Sequence, residues 1–235
     1  MSDPKIPLVS LSPRDPILTF LPTEPLMRRR YFLAGASIFA LTGLGGTTAI
    51  AQSKAEQLLV PGPLPEKSFG AADAPVTIIE YASLTCPHCR TFHVTVWPEL
   101  KKKYVDTGKV RFIMREFPFD PRAAGGFMLA RCAGDQKWYA TIDLLYRSQD
   151  GWARVSDATS ALKSIMGMTG MDGSQVESCL QDQALLEKVN AVAEAGKSFG
   201  VDSTPSFFIN GEMQKGALSL EQFSEIIDPL VAAKQ

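Results

Sequence analysis

The sequence predicts an α/β protein in which a helical domain is inserted between two halves of one fold. Residues 68–120 show strand, helix and strand patterns in succession, which is the layout of a βαβ unit. Residues 121–199 carry helical patterns throughout, and residues 200–235 return to two strands and a final helix. We therefore expect the first and second halves to form one domain and the helical block to be its insertion.

The first 51 residues are predicted to be an N-terminal extension and an export signal rather than part of this fold. The three arginines Arg28–Arg30 precede a mostly apolar stretch at 32–50, and an Ala-x-Ala site predicts cleavage after Ala51. The run RRYFL at 29–33 also resembles the twin-arginine export motif. The alternatives are the general secretory route, an uncleaved membrane anchor, and a true start at Met27.

The composition is that of an ordinary folded chain without a strong charge bias. The 235 residues are 45% hydrophobic, and 24 Lys and Arg against 25 Asp and Glu give a formal net charge of -1. This balance offers no basic surface for nucleic acid, and the sequence has no glycine-rich phosphate loop of the Walker type. Residues 52–67 are rich in proline and charge, and are predicted to be a flexible N-terminal tail with one short helix at 54–59.

The first half begins with a strand whose residues are mostly apolar. The run PVTIIEY at 75–81 is typical of a strand that is buried on both faces. A helix is predicted from Pro87 to Asp106, because apolar side chains recur every four residues and proline fits the first helical turn. The run VRFIMREF at 110–117 predicts the next strand.

The later elements are marked by capping and turn signals. In the helical block, Ser174 and Glu177 have the spacing of a capping box at a helix start. The pair Asn210-Gly211 follows an apolar strand and is the strongest short signal for a hairpin turn. Ser219 and Gln222 make a second capping box, which predicts the last helix.

The CPHC motif at residues 86–89 is the candidate chemical site. Such a cysteine pair can hold a metal ion, or it can form a disulfide that opens and closes during turnover. A structural zinc site needs four ligands, whereas Cys132 and Cys179 each stand alone and His88 is poorly placed to complete a tetrahedron with its own neighbours. A closed zinc site is therefore disfavoured, and a cuprous ion on two thiolates stays open as an alternative.

The position of Cys86, where a strand meets a helix N-terminus, favours redox chemistry. Free N–H groups and the helix dipole at that position stabilise a thiolate, and a proton or N–H from His88 would add to the effect. A stabilised thiolate makes the reduced form more stable and the disulfide more oxidising. We expect Cys89, one turn along, to be more buried and to act as the resolving thiol.

These motifs resemble those of a known family. CPHC after a strand, a helical insertion, and STPSFFING at 203–211 are similar to the DsbA-like thiol:disulfide oxidoreductases of the thioredoxin superfamily, over about residues 68–233. The resemblance implies a thioredoxin fold with an inserted helical domain. It also implies disulfide exchange at Cys86 and Cys89, with Pro87 and His88 as the intervening residues of the catalytic motif.

The resemblance implies roles for three residues outside the motif. Glu80 matches the buried acid beneath the active site and would exchange the proton of Cys89; the alternative is a carboxylate that faces water. Pro205 matches the cis-proline that faces the disulfide, and would leave the Thr204 backbone free to pair with a substrate peptide; the alternative is a trans turn proline. Thr204 departs from the valine of the best-known oxidases, and threonine also occurs here in relatives that isomerise or reduce disulfides.

The remaining cysteines and histidine are assigned structural roles. Cys132 and Cys179 fall on separate predicted helices, and an exported chain meets an oxidising compartment, so a structural disulfide between them is predicted. The alternatives are two buried free thiols or a redox-sensitive pair that tunes the active site. His93 lies beyond Cys89 beside apolar residues, and is assigned a packing or surface role rather than catalysis.

The predicted function is that of a periplasmic oxidase that introduces disulfides into newly exported proteins. Its partners would be unfolded or reduced exported proteins and, as the resemblance implies, a quinone-linked membrane oxidase that accepts the electrons. It would need no cofactor, and it would be a monomer, because the short segment before residue 68 cannot supply the dimerisation domain of the known isomerases. The alternatives are a disulfide reductase or isomerase, a periplasmic copper-binding protein that uses the same cysteines, and a holdase without turnover.

Overall fold

The chain folds around a five-stranded mixed sheet. The computed structural model describes residues 53–234, and the predicted export signal at 1–51 lies outside the described residues. The strands are β1 (Lys67–Phe69), β2 (Val76–Ala82), β3 (Val110–Glu116), β4 (Ser206–Ile209) and β5 (Glu212–Lys215). Their order in the sheet is β1-β3-β2-β4-β5. Strands β2 and β3 are parallel, and the other three neighbouring pairs are antiparallel.

The helices account for most of the chain between and after these strands. They are α1 (Lys54–Leu58), α2 (Pro87–Thr91), α3 (Trp97–Leu100), α4 (Pro121–Cys132), α5 (Trp138–Arg147), α6 (Ala158–Gly167), α7 (Gly173–Leu180), α8 (Gln183–Ser198) and α9 (Leu220–Ala232). Two π-helical turns, Phe92–Val96 and Lys101–Val105, make 87–105 one continuous helical stretch. Within residues 53–234, no helix has the length and apolar character that a membrane crossing requires.

Strand β2 lies at the centre of the sheet and is buried on both faces, as predicted. Successive side chains of a strand point to opposite faces, so β2 contributes to two separate apolar clusters. Ile78 packs in the cluster that contains Phe92 of the helical stretch, whereas Ile79 and Tyr81 pack in a second cluster with Ala193 of α8. The alternation therefore places Glu80 on the same face as Ile78, beneath the helical stretch that carries the cysteine motif.

Five α-helices, α4 to α8, lie between β3 and β4, where the helical insertion was predicted. The first of them is attached firmly to the sheet. Arg131 of α4 forms an ion pair with Glu116 of β3 at 2.5 Å, and the two side chains are only 8% and 1% exposed. Arg131 also donates a hydrogen bond to the carbonyl oxygen of Pro65 at 2.7 Å. This arginine thus joins the insertion to both the sheet and the N-terminal segment.

The capping box predicted from Ser174 and Glu177 was wrong. Helix α7 begins at Gly173, and its box is formed by Asp172 and Gln175. The Asp172 carboxylate accepts the N–H groups of Ser174 and Gln175 at 2.9 Å, and the Gln175 side chain accepts the N–H of Asp172. Two acceptable caps lay two residues apart, and the earlier one, with an ionised oxygen, starts the helix.

Residues 53–67 are part of the packed domain rather than the flexible tail that we predicted for 52–67. The helix expected at 54–59 is present as α1. Leu58 and Leu64 are buried, at 1% and 8% exposure. Glu66 forms an ion pair with Arg115 of β3 at 2.8 Å. The proline-rich composition predicted a flexible segment, whereas these two leucines pack on apolar surface of the sheet and the helical block.

The hairpin and the last helix follow the prediction. Asn210 and Gly211 connect β4 to β5 with φ angles of 47° and 94°, the left-handed region that asparagine and glycine tolerate. The Asn210 side chain also accepts the N–H of Thr77 at 2.8 Å, which ties the turn to β2. Ser219 and Gln222 form the predicted capping box at the start of α9.

Candidate active site

Cys86 lies at the N-cap of α2, directly after the loop that follows β2. Its side chain is partly exposed, and Pro87 occupies the first turn of the helix. The pKa of Cys86 is lowered to about 5, chiefly because the Cys89 thiol donates a hydrogen bond to its sulfur. The backbone N–H groups of Cys89 and His88 add to the effect, and partial burial opposes it. Cys86 is therefore a thiolate at neutral pH.

Cys89 has the opposite environment. It is fully buried, at 0% exposure, on the inward side of α2. Burial raises the pKa of Cys89 well above the usual thiol value, and the negative charges of Cys86 and Glu80 raise it further. The two sulfurs of one motif are thus divided into an accessible thiolate and a buried thiol, the arrangement that thiol–disulfide exchange requires.

The residues between the two cysteines face the solvent. Pro87 and His88 are both exposed, so the side of the motif that a partner would approach is formed by their side chains and by Cys86. The contribution of His88 to the site is its backbone N–H, which donates a hydrogen bond to the Cys86 sulfur.

Thr204 and Pro205 come from the second half of the chain and lie against Cys86. The Thr204–Pro205 peptide bond is cis. The carbonyl oxygen of Thr204 is 3.2 Å from Sγ of Cys86, and Thr204 is 8% exposed. The structure therefore brings the predicted substrate-binding residues to the predicted nucleophile, although 118 positions of sequence separate Thr204 from Cys86.

Glu80 is buried beneath the motif and is paired with His93. Both side chains are 0% exposed, and Oε2 of Glu80 is 2.8 Å from Nε2 of His93. The buried position of Glu80 was predicted from its resemblance to the family's buried acid, whereas His93 was predicted to have only a packing or surface role. The sequence does contain a signal for this pair. A buried carboxylate needs a polar partner, and His93 directly follows the inward-facing Phe92.

The helical block supplies a residue that sequence reasoning missed. Gln149 is 4% exposed, and its side-chain amide donates hydrogen bonds to the carbonyl oxygens of Leu84 and Cys86 at 2.8 and 3.0 Å. At the rim of the site, Arg90 of α2 and Asp150 form an ion pair at 2.6 Å. The insertion therefore holds the loop that carries the nucleophile.

Cys132 and Cys179 are joined by a disulfide away from the active site. The bond connects the end of α4 to α7, with Cα atoms 6.3 Å apart. Asp120, at the other end of α4, accepts a hydrogen bond from Thr85, next to Cys86. Because α4 has 12 residues, its two ends are about 18 Å apart, so this disulfide does not contact the sulfur site.

The two active-site sulfurs are the candidate metal ligands that the sequence predicted. Among residues 53–234, no group of three or more His, Cys, Asp or Glu side chains is arranged to hold a metal ion. Cys86 and Cys89 are free thiols, and they are the two ligands that a cuprous ion would use.

Comparison with known proteins agrees with this fold and this site. A family model described as Thioredoxin matches residues 65–229, and the chain belongs to this family. Structural neighbours named as DsbA proteins confirm the thioredoxin fold with a helical insertion. They also confirm the resemblance that the motifs predicted.

Within the family, the chain is similar to proteins named for disulfide chemistry. It is 36% identical over 165 residues to a protein of Rickettsia felis named as a protein-disulfide oxidoreductase, covering 68% of this chain and 58% of that protein. It is 31% identical over 157 residues to a disulfide bond formation protein D of Bacillus cereus, covering 63% of this chain and 71% of that protein. The crystal structure of alpha-DsbA1 of Wolbachia pipientis superposes with a TM-score of 0.68 at 33% identity, covering 77% of this chain and 97% of that one. The chain thus matches less than two thirds of the length of the Rickettsia felis protein.

Proposed function

We propose that this chain is an exported thiol:disulfide oxidoreductase, and that it acts as an oxidase that introduces disulfides into newly exported proteins. The observation that carries the proposal is the contrast between the two sulfurs of the motif. The pKa of Cys86 is lowered to about 5, whereas burial raises the pKa of Cys89. Because the thiolate stabilises the reduced form, reduction of the Cys86–Cys89 disulfide is favourable. The protein is therefore expected to donate its disulfide to a substrate.

In the oxidation of a substrate, a substrate thiolate attacks Sγ of Cys86. The bond between Cys86 and Cys89 breaks, the electron pair passes to Cys89, and Cys89 takes up a proton. A second substrate thiolate then attacks the substrate sulfur of this mixed disulfide. Cys86 leaves as a thiolate, and its low pKa makes it a good leaving group. The substrate departs with a disulfide, and both sulfurs of the motif are reduced.

Reoxidation uses the same two sulfurs on an electron acceptor. The Cys86 thiolate attacks a disulfide of the acceptor and releases one acceptor thiolate. Cys89 then loses its proton and attacks Cys86, and the second acceptor thiolate leaves with the electron pair of the mixed disulfide. We take the acceptor to be a quinone-linked membrane oxidase, the partner that the resemblance implies. The reaction needs no organic cofactor, because every electron passes between sulfur atoms.

Thr204 and Pro205 would align the substrate in this reaction. The Thr204 carbonyl is 3.2 Å from the Cys86 sulfur, so a peptide whose cysteine attacks Cys86 must pass beside this backbone. Pairing of two backbones gives affinity with little dependence on side chains. That property suits an enzyme whose substrates are unfolded or reduced proteins in the periplasm. We take the enzyme to act there as a monomer.

The reduction potential of Cys86–Cys89, measured by equilibration of the purified protein with glutathione buffers, tests the direction of the reaction. A value near about -120 mV is expected for an oxidase. A value near about -270 mV would instead assign the protein as a reductase. Replacing Cys86 by Ser must abolish disulfide transfer to a reduced substrate protein, and activity that survives this change would point to a holdase.

The alternative direction is supported by one residue. Thr204 precedes the cis-proline where the best-known oxidases have valine, and the resemblance includes reductases and isomerases with threonine there. A T204V variant with a higher reduction potential than the wild type would show that the residue sets the direction. The copper-binding alternative is tested by measuring Cu(I) binding to the reduced protein. Binding that is lost when both Cys86 and Cys89 are replaced by Ser would support it.

A further inference from the structure

Glu80 and His93 form a fully buried pair beneath the sulfur site. Oε2 of Glu80 is 2.8 Å from Nε2 of His93, and neither side chain is exposed. The second polar atoms, Oε1 of Glu80 and Nδ1 of His93, make no hydrogen bond to any residue that the structure describes. Buried polar atoms without partners are uncommon and often mark a catalytic role. His93 also lies in the π-helical turn Phe92–Val96, a type of turn that is frequent at functional sites.

A carboxyl group and an imidazole at this distance can be buried together when they hold one proton between them, either on Glu80 beside a neutral imidazole or on His93 beside a carboxylate. Both arrangements have no net charge, so neither has the large desolvation cost of an isolated buried ion. A proton can therefore move between Oε2 and Nε2 without a change in the charge of the interior.

Glu80 is the carboxylate whose charge acts on Cys89. The titratable or charged groups around the pair are Cys86 and Cys89 on α2, Tyr139 and Tyr146 on α5, and, beside Tyr139, Asp143 and Arg147. Burial raises the pKa of both tyrosines, so they stay neutral near neutral pH. The Tyr146 ring stacks on the His93 ring, with centroids 4.6 Å apart and planes 14° apart, and fixes the imidazole in place.

We propose that His93 is a positioning residue that makes Glu80 the proton donor and acceptor for Cys89. By sharing a proton at Oε2, His93 leaves Oε1 of Glu80 free to exchange a proton with the buried thiol. The inference rests on the proposed function only in that Cys86 and Cys89 exchange disulfides, and it holds for either direction of the reaction.

The proton balance of the two sulfur steps defines what the pair does. When a thiolate opens the Cys86–Cys89 disulfide, the electron pair passes to Cys89, and Cys89 takes a proton from Glu80. When Cys89 resolves a mixed disulfide, its proton passes to Glu80 and its sulfur attacks Cys86. The group bound to Cys86 then leaves with the electron pair of the broken bond. During this step the imidazolium of His93 balances the charge of the transient Cys89 thiolate.

The test is the collapse of a mixed disulfide between Cys86 and glutathione. Reduced protein is mixed with oxidised glutathione, quenched with acid at intervals, and analysed by mass spectrometry between pH 5 and 8. General acid–base catalysis contributes about 10²–10⁴-fold to a rate. We expect His93→Gln to slow collapse at pH 7 by about 10–100-fold, and to make its rate rise about tenfold per pH unit, because Cys89 must then give its proton to hydroxide. Formation of the mixed disulfide by Cys86 should not change.

Three further variants, Tyr104→Phe, E80Q and E80Q/H93Q, make the result specific to the pair. Tyr104→Phe is the matched control, because Tyr104 is buried on the same helical stretch and its hydroxyl donates to Asp228, away from the sulfurs. Its collapse rate should equal that of the wild type. If His93 acts through Glu80, the double variant E80Q/H93Q should collapse as fast as E80Q alone.

Three results would decide against the proposal or against its premise. A wild-type collapse rate and pH profile in H93Q would overturn the role of His93. A slower collapse in E80Q/H93Q than in E80Q would also overturn it. This comparison remains available if H93Q alone does not fold, because the double variant replaces the buried pair by two neutral amides. Failure of the premise that Cys86 and Cys89 exchange disulfides looks different, because the wild-type protein would then form no mixed disulfide at all.

Discussion

The side-chain amide of Gln149 donates a hydrogen bond to the backbone carbonyl oxygen of Cys86, 3.0 Å away. The same nitrogen donates to the carbonyl oxygen of Leu84 at 2.8 Å. One residue of the helical insertion thus holds the backbone on both sides of Thr85, directly before the active-site helix. The position of the nucleophile therefore depends on the insertion as well as on the thioredoxin halves.

We expect Gln149→Leu to lower the free energy of unfolding by about 1–3 kcal/mol, because it leaves two buried carbonyl oxygens without this donor. Urea denaturation of the oxidised protein measures the loss. The matched control is Gln136→Leu, since Gln136 is exposed and should change stability by less than about 0.5 kcal/mol. Equal stability of the two variants would show that Gln149 does not hold the active-site loop.

Cys86 should react with iodoacetamide well below the pH range of an ordinary thiol. Because its pKa is about 5, the alkylation rate of the reduced protein should rise with a midpoint near pH 5 and be constant above about pH 6.5. Cys89 is buried and protonated, so Cys86→Ser should remove the fast reaction entirely. A midpoint near 8.5, the ordinary thiol value, would contradict the lowered pKa.

The same pKa shift predicts how stability depends on pH. The folded-state pKa of Cys86 lies below the ordinary thiol value, so the thiolate contributes stability that is fully present above that value and is lost as the pH falls through about 5. The oxidised protein has no such titration. Urea denaturation of both forms should therefore show the reduced form losing stability relative to the oxidised form between pH 7 and pH 4.5. A constant difference over this range would contradict the prediction.

Removing the disulfide of the helical block should cost about 4 kcal/mol of unfolding free energy, because the bond closes a loop of about 47 residues in the unfolded chain. The variant is C132A/C179A, measured by urea denaturation with Cys86 and Cys89 oxidised. C86A/C89A with the other disulfide intact is the comparison, and its shorter loop should cost less. An unchanged midpoint in C132A/C179A would mean that the insertion is stable without its crosslink.

Arg131→Met should destabilise the protein by about 3–5 kcal/mol, because it leaves the buried carboxylate of Glu116 without its partner. The double variant R131M/E116L should recover much of this loss, since no buried charge remains. The control is Lys197→Met, which breaks an exposed ion pair with Glu194 and should cost less than about 1 kcal/mol. If R131M and K197M lose the same stability, the buried pair is not a strong link between sheet and insertion.

The features that could be predicted from the sequence are those set by neighbours along the chain. The CPHC motif at a strand–helix junction, the Asn210-Gly211 turn and the capping box at Ser219 each involve residues within four positions of one another. The wrong prediction at Ser174 has the same origin, because two capping residues lie two positions apart and the stronger acceptor, Asp172, caps the helix.

The features that could not be predicted depend on contacts between distant residues. Gln149 meets the carbonyl of Cys86 across 63 positions of sequence, and no periodicity or motif encodes that contact. His93 was judged by its apolar neighbours on the helix, whereas its partner is on a strand 13 positions earlier. Leu58 looked like part of a tail because its burial depends on a sheet face that only the folded chain assembles.

The surroundings of Cys86 are completed by residues made long after it. A chain that leaves the ribosome or a membrane channel N-terminus first presents the two cysteines of the CPHC motif before Gln149 and Thr204 have appeared. During that interval Cys86 has neither the contact of Thr204 nor the support of Gln149. The order of synthesis thus delays the complete redox site until the last quarter of the chain has been made.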